Sequence, residues 1–516
     1  MTEQIANDQI ALKLENISKT FGSVKANQDI DLEVKKGTIH GIIGENGAGK
    51  STLMNIIYGF YHADTGNIYV DGKKVAINNS LEAIDYGIGM VHQHFMLVQP
   101  FSVLENIVLG TVNEFTTKNT FDKARATLKE LNDNYGLYVD PDAIIEDLPV
   151  GNRQRVEILK ALYRQARILI LDEPTGVLTP QETDKLFEIL DALRNEGVTI
   201  MLITHKLREI MAITDNVSVM HHGRMVAHRK TSETSTTELA ELMVGRKVRL
   251  DIDKTEAKPG ETLAKMENVS VFDELGVERL KSVNMEIRRG EVVGIAGVSG
   301  NGQTELIEAL AGMQPINKGR ITIMGETIDA KHQISPAKMR DLSIGHIPED
   351  RLKHGIVKQF SAEENSILGF SGSPRWNTKF HMLHGKVRDW CLALMEKWDV
   401  RPQNPTLRSA DFSGGNQQKL IVGREIEENP DLILIGQPTR GVDIGAIEFI
   451  HNSIIQQRDR GCGILLISVE LDEVMSIADR ILVMFDGKIV GEVKASEADE
   501  RILGLMMANA YEGEKV

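Results

Sequence analysis

The sequence has no long apolar run, and no stretch approaches the roughly 18 consecutive apolar residues that a membrane-spanning helix needs. Its first residues, 1–8, also lack the basic and apolar regions of a secretory signal peptide. We therefore expect this chain neither to span a membrane by itself nor to carry a secretory signal.

Cysteine is nearly absent as well, since the 516 residues include only Cys391 and Cys462. Two cysteines cannot build a disulfide framework, and this scarcity is typical of proteins from a reducing compartment such as the cytosol. We expect both thiols to be buried and chemically inert.

Positive charge is in short supply, because 59 Lys and Arg face 74 Asp and Glu, which gives a formal net charge of −15. A nucleic-acid binder takes most of its affinity from Lys and Arg set against phosphate, and no strong basic patch stands out here. We therefore expect no nucleic-acid partner. The hydrophobic content of 41% is otherwise that of an ordinary globular protein, neither disordered nor fibrous.

The sequence repeats itself at long range. A length of 516 residues alone suggests three or four domains. Residues 36–44, however, reappear as 289–297, and residues 170–171 reappear as 434–435, with offsets that differ only slightly. This pattern predicts two copies of one domain, with a few short insertions in the second copy. The predicted organisation is a first domain over 11–247, a linker over 248–262 and a second domain over 263–507.

Within each copy, short aliphatic runs alternate with helical patterns. The runs over 168–171 and 198–203 are bounded by polar residues, as buried parallel strands are. Residues 181–193 place apolar side chains three and four positions apart, which predicts an amphipathic helix. Strands that alternate with such helices indicate the α/β fold class.

Residues 44–51 match the pattern of a P-loop, between an apolar strand over 39–43 and a helical pattern over 52–57. Glycines in such a loop let successive backbone N–H groups face phosphates, and the helix points its positive end at them. Lys50 would hold the β- and γ-phosphates of a nucleotide, and Ser51 would ligate Mg²⁺. The expected nucleotide contacts are Gly44, Glu45, Asn46, Gly47, Ala48, Gly49, Lys50, Ser51 and Thr52.

Two carboxylates end the buried strand over 168–171, in the form expected of a Walker B segment. Asp172 would orient the Mg²⁺ shell, and Glu173 would polarise the attacking water as general base. Adjacent acids at a strand end can also simply cap a loop, but a P-loop in the same domain favours the catalytic interpretation.

Together these motifs resemble the ATP-binding domains of ABC transporters, and the resemblance covers nearly the whole chain twice. It implies two tandem ABC-type P-loop ATPase domains, each with a RecA-like core, an antiparallel β subdomain and a helical signature subdomain. It also implies that Gln93 touches Mg²⁺ and faces the membrane subunits. His205 resembles the switch histidine at the γ-phosphate, and Phe21 the aromatic that stacks on adenine. The alternatives are a structural hydrogen bonder for His205 and a core aromatic for Phe21.

The second copy differs from the first at positions that the family uses for catalysis or metal binding. Its P-loop has Gln303 where the lysine should be, which removes a charge-assisted contact worth on the order of 1.5–3 kcal/mol. A neutral amide also cannot take a proton from water. The remaining replacements, which correspond to Asp172, Glu173, Gln93 and His205, are Gly436, Gln437, Glu349 and Val469.

The signature motif shows the opposite asymmetry. In the second copy, Ser413, Gly414 and Gly415 retain the hydroxyl and N–H groups that can bind a γ-phosphate. In the first copy, Pro149 removes the hydroxyl and one N–H. In this family two domains pair head to tail, so each ATP lies between one P-loop and the other domain's signature. The resemblance thus implies one competent site, formed by the first Walker motifs and the second signature.

Two function classes fit a pair of fused ABC domains: the energy-coupling subunit of an importer, and a soluble ATPase that acts on ribosomes or DNA. The second class is disfavoured by the lost acids and by the absence of a long charged linker. Segments 348–351 and 437–443 resemble the fused ATPases of bacterial simple-sugar and nucleoside importers. The Gly436–Gln437 pair and residues 92–95 favour nucleosides, with ribose- or galactose-type sugars as the alternative.

The resemblance also implies cofactors, partners and location. The cofactors are ATP and Mg²⁺. The partners are two transmembrane permease subunits and, indirectly, an extracellular substrate-binding lipoprotein, with no nucleic acid. The chain would lie peripherally on the cytoplasmic face of the cell membrane.

Overall fold

The computed structural model describes residues 10–22, 24–92, 95–110, 118–176, 178–247, 252, 254–298, 300–442 and 444–510. Gln93, one of the predicted site residues, lies outside these ranges. The chain divides into two units, 1–248 and 249–516.

The first unit alternates strands with helices in the manner that the sequence predicts. Its strands are β1 (Ile10–Phe21), β2 (Val24–Lys35), β3 (Ile39–Gly44), β4 (Thr65–Val70), β5 (Lys73–Val75), β6 (Ile88–Val91), β7 (Ile168–Asp172), β8 (Thr199–Ile203), β9 (Asn216–His221) and β10 (Arg224–Lys230). Its helices are α1 (Lys50–Ile57), α2 (Ser80–Asp85), α3 (Val103–Val108), α4 (Lys118–Tyr135), α5 (Val150–Tyr163), α6 (Pro180–Asn195), α7 (Leu207–Ile213) and α8 (Thr236–Val244).

A six-stranded sheet with the order β10-β9-β3-β8-β7-β6 forms the centre of the first unit. Strand β3 pairs in parallel with both β8 and β9, and β7 pairs in parallel with β6 and β8. Every residue of β3, β7 and β8 is buried, which explains their aliphatic composition. The loops that follow these three strands therefore meet at one edge of the sheet, where open α/β folds bind ligands.

A second sheet, with the antiparallel order β2-β1-β4-β5, packs over the first. A continuous apolar core joins the two sheets and α1, and it includes Leu12, Ile30, Leu53, Met54 and Ile170. Helices α3, α4 and α5 contact one another and form the helical part of the unit. The predicted helix over 181–193 is α6, which begins with a capping box and a proline at its first turn.

The second unit repeats this design. Its strands are β11 (Thr262–Phe272), β12 (Glu278–Arg288), β13 (Val292–Ala296), β14 (Lys318–Ile323), β15 (Glu326–Asp329), β16 (Ile344–Ile347), β17 (Leu432–Gly436), β18 (Gly463–Ile467), β19 (Arg480–Phe485) and β20 (Lys488–Lys494). Its helices are α9 (Gln303–Leu310), α10 (Pro336–Asp341), α11 (Ala362–Asn365), α12 (His384–Lys397), α13 (Gly414–Glu427), α14 (Ile444–Asp459), α15 (Leu471–Ile477) and α16 (Glu500–Met507).

The strand order of the second unit matches that of the first. Its large sheet has the order β16-β17-β18-β13-β19-β20, and its antiparallel sheet has the order β12-β11-β14-β15. Strand β13 again lies between two parallel neighbours, β18 and β19. The predicted α/β class and the repeat of one fold are thus confirmed by the topology.

The helices and the cysteines of the described residues bear on two expectations drawn from composition. Among them, no helix combines the length and the apolar character that crossing a membrane requires. Both cysteines are free and buried, as predicted. Burial raises the pKa of each thiol to about 12, so neither is a thiolate at neutral pH.

Candidate nucleotide site

The P-loop connects the end of β3 to the start of α1. Gly47 and Gly49 have φ angles of 84° and 98°, in the region that favours glycine. A Cβ atom on Gly49 would also overlap the carbonyl oxygen of Ala26. Gly49 is the N-cap of α1 and offers no side chain to cap the first turn. The loop can therefore turn its backbone N–H groups toward an anion at the helix start.

The Lys50 side chain is buried and crosses the loop. Its Nζ donates hydrogen bonds to the carbonyl oxygens of Gly44, at 2.6 Å, and Glu45, at 3.1 Å. Burial lowers the pKa of Lys50, and the charges of Glu173, Asp172 and Glu45 oppose that shift. The ammonium group therefore lies between the loop and the carboxylates that follow β7.

Asp172 ends β7 and is buried beside the P-loop. Burial, together with the charge of Glu173, raises its pKa to about 6, while Lys50 and a hydrogen bond with Ser51 act in the opposite direction. A buried carboxylate paired with a hydroxyl supplies the oxygen ligands that Mg²⁺ prefers, and a cation there would lower the pKa again. These residues fit a magnesium site.

Glu173 follows Asp172 with a φ of 47°, and its backbone N–H donates to the Ile203 carbonyl at 2.8 Å. Nδ1 of His205 donates to Oε1 of Glu173 at 3.0 Å. Burial tends to raise the pKa of Glu173, but the hydrogen bond and charge of His205, with Lys50 and Lys206, bring it below its usual value. Glu173 is thus held as a carboxylate, the form that accepts a proton.

Phe21 lies at the end of β1 and is 43% exposed, so the alternative that it fills the core is wrong. Its ring meets the exposed ring of Tyr61 edge to face, with centroids 5.2 Å apart. Sequence reasoning missed Tyr61, although an aromatic pair just after the P-loop helix, Phe60 and Tyr61, could have drawn attention to it. The two rings form an exposed apolar surface, which suits a planar ligand.

The second P-loop retains its backbone shape without its lysine. Gly300 and Gly302 have φ angles of 89° and 102°, close to those of the first loop. Gln303 is buried like Lys50, and its Nε2 donates to the Val298 carbonyl at 3.0 Å. Its Oε1 accepts from the backbone N–H of Asn301 at 3.0 Å. The amide therefore closes the loop internally and brings no positive charge to it.

The Walker B replacements of the second unit are packed closely. A Cβ on Gly436 would lie 2.9 Å from the backbone nitrogen of Glu349, so this position has no room for a side chain. Gln437 keeps a positive φ of 49°, is buried, and accepts at Oε1 from the Val469 N–H at 3.4 Å. The Glu349 carboxylate accepts a hydrogen bond from the Thr304 hydroxyl at 2.7 Å.

The two signature segments begin corresponding helices. Ser413 is the N-cap of α13 and accepts a hydrogen bond from the Asn416 side chain at 2.8 Å. Pro149 is the N-cap of α5 and makes no capping side-chain bond. The guanidinium group of Arg351 lies against Gly414, where it would collide with a Cβ, and it donates to the Arg440 carbonyl at 3.4 Å. Sequence reasoning assigned no site role to Arg351.

Within the first unit, the structure brings together Lys50, Ser51, Asp172, Glu173 and His205, which come from the ends of two strands, β7 and β8, and the start of α1. Phe21 lies on the antiparallel sheet, and the intact signature lies in the second unit. The catalytic and binding roles predicted for these residues stay predictions.

Comparisons with known proteins agree with this geometry. The model of the ABC transporter family matches residues 27–176 and 280–440. The chain is 43% identical to a nucleoside import ATP-binding protein of Lactococcus lactis subsp. cremoris, over 98% of this chain and 99% of that protein. It is 45% identical to a guanosine import ATP-binding protein of Bacillus subtilis, again over 98% and 99%.

Similar proteins also include a sugar import protein and a ribosome recycling factor. A glucose import ATP-binding protein of Haloferax volcanii is 44% identical, over 96% of this chain and 95% of that protein. A crystal structure of an archaeal ribosome recycling factor bound to a ribosomal stalk protein aligns with a TM-score of 0.60, over 93% of this chain and 90% of that one. At 19% identity, this last likeness is one of fold alone.

The chain therefore belongs to the ABC transporter family, among the import ATP-binding proteins that carry two ABC domains. Members of this class bind ATP and are ATP hydrolases coupled to solute import, so the predicted fold and enzyme class are confirmed.

Proposed function

We propose that this chain drives nucleoside import by hydrolysing ATP at one competent site. That site combines the Walker motifs of the first domain, over 11–247, with the signature of the second, over 263–507, and 248–262 serves as the linker. The contact between His205 and the Glu173 carboxylate carries the proposal, because the second unit has no counterpart. There, the corresponding residues are Val469 and Gln437.

At the competent site, the P-loop N–H groups and Lys50 bind the phosphates, and the exposed ring of Phe21 stacks on the adenine. Ser51, Asp172 and Gln93 would hold Mg²⁺, which when bound neutralises phosphate charge. Glu173 accepts a proton from the attacking water. His205 contacts the γ-phosphate in this proposal, and it keeps Glu173 deprotonated and oriented.

The signature residues complete the site from the opposite domain. The Ser413 hydroxyl and the N–H groups of Gly414 and Gly415 lie at the positive end of α13, a 14-residue helix. Such a helix start favours the charge of a γ-phosphate. Pro149 lacks both the hydroxyl and the N–H, so the first signature suits this task poorly. The intact parts of the two units are therefore complementary.

A pair of isosteric substitutions tests this assignment. Glu173→Gln should reduce the ATPase rate by about 10²- to 10⁴-fold, because an amide cannot act as a general base. Gln437→Glu, its matched control in the second unit, should leave the rate nearly unchanged. ATP turnover of the purified chain, with phosphate release as readout, measures both. A large residual rate in Glu173→Gln would contradict the single-site proposal.

The solute is proposed from the relatives. Two proteins that match over nearly their whole length are named for nucleoside and guanosine import, which supports nucleosides. A glucose import protein at 44% identity and a ribose import protein at 37% support sugars as the alternative. Uptake of labelled guanosine and labelled ribose by cells that carry or lack this gene distinguishes them. Loss of ribose uptake alone would favour the sugar alternative.

A groove in the first unit is the proposed contact for a permease. It has a volume of about 270 Å³ and is lined by apolar side chains together with the charged side chains of Glu157, Lys160 and Arg164. Glu157 is only 3% exposed, and its Oε1 has no hydrogen-bond partner in the described structure. Burial raises the pKa of this carboxyl group. The Nζ atom of Lys160 lies 3.8 Å from the other carboxylate oxygen, Oε2. A permease segment that brings free N–H groups would satisfy Oε1.

The second unit is different at the corresponding place. Ile421 occupies the position equivalent to Glu157 and is fully buried in the core. Nearby, the buried Arg424 donates hydrogen bonds to the carbonyl oxygens of Gly355 and Asn365, at 3.0 and 3.1 Å. The two units therefore offer a permease unequal surfaces.

The groove can be tested by a charged substitution on its rim. Leu81 lines the groove and is 65% exposed, so Leu81→Glu should weaken co-purification with the permeases without unfolding the chain. Leu275 is 88% exposed in the second unit and provides the matched control Leu275→Glu. Equal recovery of the permeases with Leu81→Glu and with the control would contradict docking at this groove.

The remaining partners follow from the importer assignment. We expect two transmembrane permeases, an extracellular substrate-binding lipoprotein that acts through them, and a peripheral position on the cytoplasmic face of the membrane. No nucleic-acid partner is proposed, in keeping with the net charge of −15. Fractionation of cells with and without the permease genes tests the location: the chain should sediment with membranes only when the permeases are present.

A further inference from the structure

The second unit has a longer connection between α11 and α12 than the first unit has between α3 and α4. This connection spans 366–383 and is twice as long as its counterpart over 109–117. From 365 to 388 the sequence has no acidic residue, and we call this stretch the basic segment. Its basic residues are Arg375, Lys379, Lys386 and Arg388. The segment is therefore opposite in charge to the chain as a whole, whose net charge is −15.

A small apolar cluster fixes the conformation of the basic segment. Trp376 belongs to this cluster and is only 2% exposed. The guanidinium group of Arg375 lies over the rings of Trp376 and Trp390, 4.3 and 4.1 Å from their centroids. The backbone then turns at Thr378, whose N–H donates a hydrogen bond to the His381 carbonyl at 2.9 Å. The tip of this turn therefore has a defined position on the unit.

An aromatic ring and a lysine form the tip of the turn. Phe380 is 87% exposed, and Nζ of Lys379 lies 5.8 Å from the centroid of its ring. Lys386 is exposed as well, and neither lysine forms an ion pair with a described residue. The two arginines of the segment, by contrast, already pair with carboxylates of their own unit. An exposed apolar ring beside unpaired cations suits a surface that is negatively charged outside and apolar beneath.

The basic segment covers the place that corresponds to the groove of the first unit. Ile84, near the end of α2, and Arg164, at the end of α5, line that groove. Their counterparts at the ends of α10 and α13 are Arg340 and Glu428. The Arg340 guanidinium lies over the ring of Phe370, 4.4 Å from its centroid, and Glu428 accepts a hydrogen bond from the stacked guanidinium of the segment at 3.2 Å. The segment therefore lies on the side of its unit that corresponds to the proposed permease side of the first.

We propose that the basic segment contacts anionic lipid headgroups at the membrane surface. Lys379 and Lys386 meet the negative charge of the headgroups, and the ring of Phe380 enters the boundary between headgroups and acyl chains. A permease is the poorer partner for this segment, because the cytoplasmic loops of membrane proteins are themselves rich in Lys and Arg. The inference rests on the peripheral membrane location of the proposed function, to which it adds a direct contact with lipid.

The contact with lipid is weak, and its effect is to orient a chain that the permeases hold in place. Each basic residue near an anionic surface strengthens binding by about fivefold. At about 0.1 M salt the Debye length is about 10 Å, so acidic residues elsewhere in the chain are largely screened from the membrane. Two lysines and one aromatic ring thus favour one orientation without replacing the permeases as the anchor.

Energy transfer from tryptophan to a dansyl-labelled lipid tests the proposal, because the three tryptophans of the chain all lie within 376–398. The full chain is mixed, without permeases and at about 0.1 M salt, with an excess of vesicles of phosphatidylcholine alone or of phosphatidylcholine with phosphatidylglycerol. Transfer should appear only with the vesicles that contain phosphatidylglycerol. Lys379→Gln combined with Lys386→Gln should weaken this binding by roughly 25-fold, a factor of about five for each lysine. Phe380→Ala should weaken it as well.

Lys331→Gln combined with Lys488→Gln is the matched control, since it removes two exposed lysines of the same unit that lie outside the segment. It should leave the binding unchanged. No transfer from the wild type, equal transfer with both kinds of vesicle, or an equal loss in the control would overturn the proposal. Reduced recovery of the permeases in detergent with the double variant of the segment would also overturn it, because the occupant would then be a permease. The vesicles hold no permease, so failure here leaves the importer assignment untouched, and Leu81→Glu should not change lipid binding.

Discussion

Asp172→Asn should make the nucleotide-free chain more stable at pH 8 while abolishing its Mg²⁺-dependent function. The raised pKa of Asp172, about 6 against an ordinary 3.8, means that folding penalises its ionised form. A difference of about 2 pKa units corresponds to roughly 3 kcal/mol, since one unit is worth about 1.4 kcal/mol. Asparagine has no charge to bury, so the substitution removes this cost.

The sign depends on pH in a defined way. Below pH 3.8, the carboxyl group is protonated in both states, and it does not oppose folding. As the pH rises, the unfolded chain releases its proton first, so stability falls until the pH exceeds about 6. The advantage of Asp172→Asn is therefore full at pH 8 and roughly half as large at pH 5.

Differential scanning calorimetry in the presence of a chelator measures the effect. For a unit of this size, 3 kcal/mol corresponds to a rise of about 6–12 °C in the transition of the first unit, less what the altered Ser51 hydrogen bond costs. Asp431→Asn is the control of opposite sign, because Arg289 lowers the pKa of Asp431. Mg²⁺ with a non-hydrolysable ATP analogue should stabilise the wild type more than the variant. No gain at pH 8, or an equal gain at pH 5 and pH 8, would refute the reasoning.

Three further substitutions extend the test. His205→Gln should raise the pKa of Glu173 and move the acidic limb of the ATPase pH profile to higher pH; an unmoved limb would contradict this. Gly436→Asp should destabilise the second unit by about 1–3 kcal/mol, because the new Cβ would press on Glu349. Thermal unfolding measures this loss of stability. A gain of ATPase activity would contradict the prediction. Arg351→Ala should lower the ATPase rate about tenfold, because the Arg351 guanidinium no longer holds the signature segment at Gly414. The thermal midpoint of the variant should change little. An unchanged ATPase rate would exclude a positioning role for Arg351.

Local patterns in the sequence predicted the repeating α/β elements well, and the described residues predicted for the first Walker motifs lie close together. The strand over 168–171 and the helix over 181–193 match β7 and α6, because strand burial and helix capping depend on residues that are close together in the sequence. The P-loop was also predictable from the sequence, because glycine is needed where the local backbone has a positive φ angle. The order of strands was not predictable in this way, because it depends on pairing between distant segments.

The second site shows where sequence patterns stop being sufficient. Residue by residue, Glu349 and Gly436 are two separate losses from a known motif. Only the tertiary structure shows that Glu349 reaches Thr304, 45 residues away, and that its backbone needs the space at Gly436. The sequence alone also did not decide whether Phe21 is buried, since an aromatic residue at a strand end is compatible with either burial or exposure.

The close packing of Gly436 against Glu349 also has an evolutionary consequence. A single mutation to aspartate at 436 would press its Cβ on the backbone of residue 349, and it would leave the second site still without a lysine at 303 and a general base at 437. Each single change toward the first site therefore meets strain or leaves other catalytic residues missing. The inequality of the two halves is thus difficult to reverse, and descendants of this gene should retain it even where selection on their ATPase rate changes.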